Sequence, residues 1–142
     1  MYIDFIDNSI FSRSDYISLA KEWNNIYSRY KQFSVEDIIR RYKYRAISGI
    51  AMYDNNNKII GCAIYEFNNP YGSKDINMVI NHFFIYPYVS KFLKGKFIKH
   101  LEKVAKAHKC ACILYPDCTF DSFFKNHPDK YKLVEVTYKQ RL

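Results

Sequence analysis

The sequence predicts an α/β protein in which helices cover a mixed sheet, with the element order β-α-α-β-β-β-α-β-α-β. Hydrophobic residues make up 49% of the 142 residues, which is enough for one packed core. A strand, a long helix and a second strand follow one another over residues 76–115, which is typical of a parallel crossover. No linker or repeat interrupts the chain, so we expect residues 1–142 to form a single domain.

One strand and two helices are predicted in the first third of the chain. Residues 2–6 form the first predicted strand. Hydroxyl and carboxylate side chains over residues 12–15 have the spacing of a helix start, and apolar residues then recur at helical spacing as far as Tyr27. A second start at Ser34 precedes an amphipathic helix whose apolar stripe ends at Tyr42.

Three strands follow these helices. Residues 49–53 and 59–67 are apolar runs joined by the turn DNNNK, and Asn and Asp tolerate the left-handed backbone of tight hairpins. After a polar loop, residues 76–86 are apolar almost throughout, which is typical of a central strand covered on both faces.

The last third of the chain alternates helices and strands. A long amphipathic helix is predicted from about residue 93 to residue 108, followed by a short strand at 111–115. A short helix at 121–125 and a final strand at 131–138 complete the predicted order.

The composition and the net charge indicate which kind of binding partner and which cellular compartment to expect. The net charge is +8, which favours an anionic partner. The four cysteines form no C-x-x-C pair and have no zinc-site spacing, so we expect buried, reduced thiols, a reducing compartment and no metal. No apolar run approaches the ~20 residues that span a bilayer, and the N-terminus does not resemble a signal peptide. The expectation is a cytoplasmic protein without membrane contact.

Three segments are similar to those of a known family. The run YDNNNKIIG at residues 53–61 is similar to its hairpin, and residues 84–105 to its central strand, phosphate loop and following helix. Residues 123–135 are similar to its last helix and strand. With the element order, these segments resemble the GNAT superfamily of acetyl-CoA-dependent N-acetyltransferases. The resemblance implies a sheet that splays between the strands at 76–86 and 110–115, where the cofactor enters.

The loop before the long helix also has the physical properties of an anion site. The first N–H groups of a helix have no intrahelical partner, and the helix dipole favours negative charge there. Gly95 permits close approach of the backbone, and Lys91, Lys94 and Lys96 add positive charge. The resemblance implies that acetyl-CoA binds here as cosubstrate, with its pantetheine arm along the central strand. The candidate cofactor-binding residues are Phe84, Ile85, Tyr86, Ser90, Lys91, Lys94, Gly95 and Lys96.

Acetyl transfer from a thioester to an amine needs a base for the amine, a donor for the carbonyl and an acid for the departing thiolate. Many GNAT members place the acid, a tyrosine, on the short helix after the fifth strand. The matching positions here are Phe123 and Phe124, which cannot donate a proton, so Tyr115 and Tyr131 are the alternatives. Glu66 and His82 are alternatives for the base. The candidate catalytic residues are thus Tyr115, Glu66 and His82.

Three functions therefore remain open. The first is transfer of an acetyl group from acetyl-CoA to an amine of a small molecule or protein. The second is a catalytically degenerate GNAT-fold protein with a structural or interaction role, such as a phage virion or host-interaction protein. The abundance of Tyr, Ile, Lys and Asn is typical of an AT-rich genome, bacterial or phage, and concerns the origin of the protein alone. The absent tyrosine and the altered phosphate loop, with Ser90 for the usual Arg or Gln, favour this second function. The third is nucleic-acid binding. The basic net charge favours it, but the sequence has no recognisable nucleic-acid-binding motif. A protein partner or a homo-oligomer is compatible with each.

Overall fold

A computed structural model describes residues 1–26, 34–69, 74–115, 126, 127, 129 and 130. These residues include five strands: β1 (Tyr2–Ile6), β2 (Ser48–Tyr53), β3 (Ile59–Asn68), β4 (Ile76–Ile85) and β5 (Cys110–Leu114). They also include the helices α1 (Ser14–Ile26), α2 (Val35–Tyr42) and α3 (Lys91–Ala107), and a 3-10 turn at Asn8–Ser12. The predicted helix at 121–125 and strand at 131–138 lie outside the described residues.

The five strands form one mixed sheet in the order β1-β2-β3-β4-β5. The pairs β1–β2, β2–β3 and β3–β4 are antiparallel. The last strand, β5, runs parallel to β4 after the crossover through α3. The predicted α/β class and mixed sheet are thus confirmed. The long helix begins at Lys91 rather than near residue 93, because the side chain of Ser90 caps it by accepting a hydrogen bond from the Leu93 N–H.

Helices cover both faces of the sheet. Phe84 contacts Tyr16 and Trp23 of α1, with ring centroids 6.3 and 6.0 Å apart. Its neighbour Phe83 contacts Phe97 of α3 at 5.4 Å. Because successive side chains of a strand point to opposite faces, α1 and α3 lie on opposite sides of β4. Burial of β4 on both sides, predicted from its apolar sequence, follows from this arrangement.

The N-terminus of α1 is fixed to the sheet by one carboxylate. Asp15 accepts hydrogen bonds from the backbone N–H of Ile59 at 3.0 Å and from the guanidinium of Arg13 at 2.8 Å. Ile59 is fully buried, so its N–H has no access to solvent. Asp15 therefore ties the first turn of α1 to the start of β3.

The hairpin between β2 and β3 has the predicted turn chemistry. Asn57 has a left-handed backbone with φ 61°, and the Asp54 carboxylate accepts from the N–H groups of Asn56 and Lys58. A Cβ at Gly49, in the middle of this sheet, would lie 2.5 Å from the Ala63 carbonyl oxygen. Close packing thus requires glycine at residue 49.

No helix in the described ranges is long and apolar enough to cross a membrane.

Candidate active site

A gap in the sheet lies between β4 and β5. The parallel ladder pairs Ile76 with Cys110 at one end and Val79 with Leu114 at the other, and within the described residues it goes no further. The strand β4 continues to Ile85, paired on its other side with β3. The splay that the sequence predicts is therefore confirmed, and among the described residues it leaves the C-terminal half of β4 without a strand partner on this side.

One backbone group of β4 faces away from β3 at this gap. The N–H of Tyr86 donates to the Ile60 carbonyl oxygen at 3.1 Å, which turns it toward β3. Backbone groups alternate in direction along a strand, so the N–H of Phe84 also faces β3 and the N–H of Ile85 faces the gap. Of the three strand residues predicted to contact a cofactor, Ile85 has the backbone donor in the right direction.

The loop after β4 leads into a capped helix start. The Val89 N–H donates to the Tyr86 carbonyl oxygen, and the Lys94 N–H to that of Ser90. The Ser90 hydroxyl oxygen accepts from the Leu93 N–H at 3.2 Å. Among the described residues the first-turn N–H groups of Lys91 and Phe92 have no acceptor, so they can bind an anion. The hydroxyl of Ser90 caps the helix and still has its own proton to donate.

The predicted lysines differ in their surroundings. The Lys94 ammonium donates to the Pro87 carbonyl oxygen at 3.4 Å, and partial burial, followed by the charge of Lys91, lowers its pKa. Lys91 is exposed, and the ammonium of Lys96 lies 4.9 Å from the centroid of the Phe92 ring. Gly95 has open space around it, since a Cβ there would meet nothing within 4 Å. Lys91 and Lys94 therefore flank the helix start, and Gly95 leaves it accessible.

A further cation reaches this loop from the hairpin. The Lys58 ammonium lies 5.1 Å from the centroid of the Tyr86 ring, and Tyr86 stacks on the exposed Tyr88 at 5.1 Å. The sequence prediction missed Lys58 because residue 58 is far from residue 86 along the chain. Only the pairing of β3 with β4 brings the two together.

His82 lies on the α1 and α2 face of β4. Its ring meets that of Tyr42 edge to face, with centroids 5.0 Å apart. Its Nε2 is buried and has no hydrogen-bond partner in the described part of the chain. Burial, and secondly the charge of Arg41, lowers its pKa to about 4. At neutral pH the imidazole is therefore uncharged and can accept a proton.

The other two candidate catalytic residues are Tyr115, which lies on the opposite face of the sheet from His82, and Glu66, which lies on the same face but is more exposed. Tyr115 contacts Phe83 on the α3 face, with ring centroids 6.3 Å apart. Phe67 stacks on His108 at the end of α3, so its neighbour Glu66 points to the opposite face, which also bears His82. Glu66 is exposed and pairs with Val79 in the ladder. The structure thus brings Glu66 and His82 to one face and puts Tyr115 on the other, while Tyr131 lies outside the described residues.

Metal ligands are not clustered in the described ranges. No group of three or more His, Cys, Asp or Glu side chains among these residues could hold a metal ion. Cys112 is exposed, contrary to the expectation of buried thiols, and its thiol donates to the Asn77 side-chain oxygen at 3.1 Å.

Comparisons with known proteins bear on the fold. The sequence matches no family profile and no curated protein. Solved structures do match along the whole chain. A ribosomal-protein-alanine N-acetyltransferase from Brucella melitensis biovar Abortus 2308 has a TM-score of 0.71 and 10% identity, with 100% of each chain covered. A GNAT family acetyltransferase from Staphylococcus aureus has a TM-score of 0.67 and 15% identity, also with 100% of each chain covered.

An aminoglycoside acetyltransferase from an uncultured soil metagenomic sample is similar as well. Its TM-score is 0.64 at 10% identity, and the match covers 100% of this chain and 99% of that one. At such low identity these likenesses concern the fold, which agrees with the splayed sheet and the capped helix start described above. The chain therefore has the fold of the GNAT acetyltransferases.

Proposed function

We propose that this protein is a GNAT-type N-acetyltransferase that moves an acetyl group from acetyl-CoA to an amine. The observation that carries the proposal is the end of the β4–β5 ladder at Val79 and Leu114, beside a strand that leads into a capped helix start. A gap in a sheet leaves backbone donors for an extended ligand, and the helix start offers N–H groups to a phosphate. The fold of the similar structures supports the same activity.

The residues around the helix start fit the phosphates of acetyl-CoA. The N–H groups of Lys91 and Phe92 supply two donors, and the side chains of Lys91 and Lys94 supply positive charge. The open space at Gly95, where a Cβ would meet nothing within 4 Å, leaves room for a bound group. The amide-bearing pantetheine arm would lie along the gap side of β4, near Ile85.

The chemistry of the proposed transfer can be divided among three groups. Acetyl-CoA supplies an activated acetyl group as a thioester. The Ile85 N–H donates to the carbonyl oxygen, where negative charge develops. Nε2 of His82 accepts the proton of the amine as the C–N bond forms, and the Tyr115 hydroxyl gives a proton to the thiolate as the C–S bond breaks. A gap in a sheet is open to both faces, so the acid and the base can act from opposite sides.

A second function is binding without acetyl transfer. Large side chains are exposed in the described residues: Tyr44 after α2 is 86% exposed, and Phe92 and Tyr88 beside the helix start are 70% and 67% exposed. Exposed aromatic residues of this kind favour an interaction surface. On this alternative the fold is kept while acetyl-CoA binding or turnover is lost.

Acetyl-CoA binding measured by calorimetry tests the proposal. Replacing Lys91 and Lys94 together by Ala should weaken binding by about tenfold and reduce its dependence on salt, because exposed charges on phosphates are screened. Gly95→Val should also weaken binding, since its side chain would fill the space at the helix start. The matched control replaces Lys99 and Lys103, exposed on the same helix, by Ala and should bind as the native protein does.

Transfer itself is measured by release of CoA thiol in the presence of an amine. Tight binding of acetyl-CoA by the native protein, together with loss of thiol release in the His82→Asn variant, would support the proposed enzyme. Acetyl-CoA binding that is absent, or equal in all these variants, would overturn the proposed site. Binding without thiol release from any amine would favour the second function.

A further inference from the structure

The turn between α2 and β2 carries an exposed aromatic ring between two cations. Lys43, Tyr44 and Arg45 are all exposed, and Tyr44, at 86%, is the most exposed large hydrophobic side chain in the described residues. We propose that this turn binds single-stranded nucleic acid, with a base stacked on Tyr44 and the neighbouring phosphates on Lys43 and Arg45. The inference goes beyond acetyl transfer and does not depend on it.

The backbone of this turn is held in place by the rest of the fold. The Tyr42 ring packs against the His82 ring, with centroids 5.0 Å apart. The N–H of Arg45 donates to the Tyr42 carbonyl oxygen at 3.1 Å, and the side-chain amide of Asn8 donates to the Lys43 carbonyl oxygen at 3.2 Å. These contacts order the turn before a ligand arrives, so binding loses less conformational entropy.

Each cation of the turn lies against a tyrosine ring. The Lys43 ammonium is 5.7 Å from the centroid of the Tyr44 ring, and the guanidinium carbon of Arg45 is 5.5 Å from that of Tyr42. Because Tyr44 is so exposed, its contact with Lys43 leaves most of the ring open to a second planar group. One nucleotide can therefore stack its base on Tyr44 and place its phosphate at Lys43.

Acidic side chains do not neutralise these cations. Residues 38–53 contain no Asp or Glu. Within the part of the chain that the structure describes, Lys43 and Arg45 form no ion pair with a carboxylate. Asp37, further back in α2, pairs with Arg40 at 3.5 Å. The turn therefore attracts anions, and salt should screen this attraction.

The exposed ring favours nucleic acid over an acidic protein as the partner. A run of carboxylates would neutralise Lys43 and Arg45 but would offer the Tyr44 ring no planar group to stack on. A single strand presents phosphates together with bases that are open to stacking, and stacking on an aromatic side chain tolerates any base. In a duplex the bases stack on each other, so only the phosphates remain available. The turn thus suits a single strand best.

The turn and the start of α3 lie toward opposite ends of the sheet. Ser48, the first residue of β2, pairs with Tyr65 of β3, whereas Ile85 at the end of β4 pairs with Gly61. From Gly61 to Tyr65 the strand rises about 13 Å, at about 3.3 Å per residue. Nucleic-acid binding at the turn can therefore be measured separately from acetyl-CoA binding at the helix start.

Fluorescence anisotropy with a labelled oligothymidylate of about twelve nucleotides tests the two cations. Replacing Lys43 and Arg45 together by Ala should weaken binding about tenfold at low salt. The native affinity should fall at least about sevenfold for a fourfold rise in salt, as two phosphate contacts require, and the affinity of the variant should fall less. The matched control replaces Lys99 and Lys103, exposed on α3, by Ala and should bind as the native protein does.

The ring of Tyr44 is tested separately from the charges. Tyr44→Ala should weaken oligothymidylate binding at least about fivefold without changing its dependence on salt, because the ring contributes stacking and no charge. Tyr44→Phe is the matched control and should keep the native affinity, since a phenyl ring also stacks. A duplex of the same length should bind the native protein and the Tyr44→Ala variant equally.

Three results would overturn the inference. The first is native affinity for the oligonucleotide in Tyr44→Ala. The second is loss of oligonucleotide binding when Lys91 and Lys94, rather than Lys43 and Arg45, are replaced by Ala. The third is polyglutamate that binds as tightly as the oligonucleotide, which would identify an acidic protein as the partner. Oligonucleotide binding as predicted, in a protein that does not bind acetyl-CoA, would keep this inference and overturn only the proposed enzyme.

Discussion

His82 is the side chain whose state depends most on its surroundings. Its ring is enclosed by Tyr42 and Phe84, and its Nε2 is buried without a hydrogen-bond partner in the described residues. A buried group that lacks a partner favours its uncharged form. The same environment that keeps His82 uncharged at neutral pH also makes its protonation unfavourable for folding.

The pH dependence of stability follows from this shift. The folded pKa of His82, about 4, lies below the ordinary value of 6.5, so between these values the unfolded chain binds more protons. Stability is then fully present above pH 6.5 and falls as the pH is lowered. We expect the free energy of unfolding to drop by about 2 kcal/mol between pH 6.5 and pH 5, measured by urea denaturation. His82→Phe should flatten this drop, and an equal drop in the variant would assign it to other groups.

For single residues, the sequence predicted the start of α3 better than the surroundings of His82. Ser90, Lys91 and Lys94 follow one another along the chain, so their approach to one helix start needs only local structure. Tyr42 at the end of α2 reaches His82 on β4 through a contact between distant segments. This contact was therefore invisible in the spacing of the sequence, although the sequence did predict the helix that carries Tyr42.

At the scale of elements, α1 and β3 are joined through Asp15. Burial alone would raise the pKa of this carboxyl, but hydrogen bonds from Arg13 and from the Ile59 N–H outweigh it and lower the pKa. The sequence predicted a helix start at residues 12–15 from the spacing of hydroxyl and carboxylate groups. It could not predict that the carboxylate also caps the backbone of a strand that begins at residue 59.

Replacing Asp15 should therefore destabilise more than a helix cap does. Asp15→Ala leaves the buried Ile59 N–H without its acceptor, and we expect a loss of about 1–3 kcal/mol in the free energy of unfolding. Asp37→Ala is the control, since Asp37 is exposed and its ion pair with Arg40 should contribute less than about 1 kcal/mol. Chemical denaturation at pH 7 measures both. Equal losses would mean that the bond to Ile59 contributes nothing beyond an exposed pair.

For the whole molecule, the sequence predicted the class and the order of elements from hydrophobic periodicity and turn residues. The splay between β4 and β5 entered through the resemblance to GNAT proteins, because no residue pattern announces where a ladder stops. The single domain over residues 1–142, the cytoplasmic location and any phage origin stay predictions.

Ligand binding should be visible in the stability of the whole molecule. If acetyl-CoA binds the folded state alone, a concentration 100 times its Kd raises the free energy of unfolding by about 2.7 kcal/mol. For a domain of this size that corresponds to a rise in Tm of roughly 5–10 °C. Differential scanning fluorimetry measures it, and the variant with Lys91 and Lys94 replaced by Ala should show a smaller rise at the same concentration. The same rise in both proteins would mean that acetyl-CoA binds away from the helix start.

The strand order, which equals the order along the chain, has a consequence for how the protein is made. Each strand finds its neighbour already synthesised, so the sheet can grow in one direction while the chain leaves the ribosome. The steps β2–β3 and β3–β4 close over short loops and are therefore fast. The steps β1–β2 and β4–β5 must wait for the helices between them. The strand that borders the gap, β5, is thus the last of the five described strands to be added, after β4 has already paired with β3.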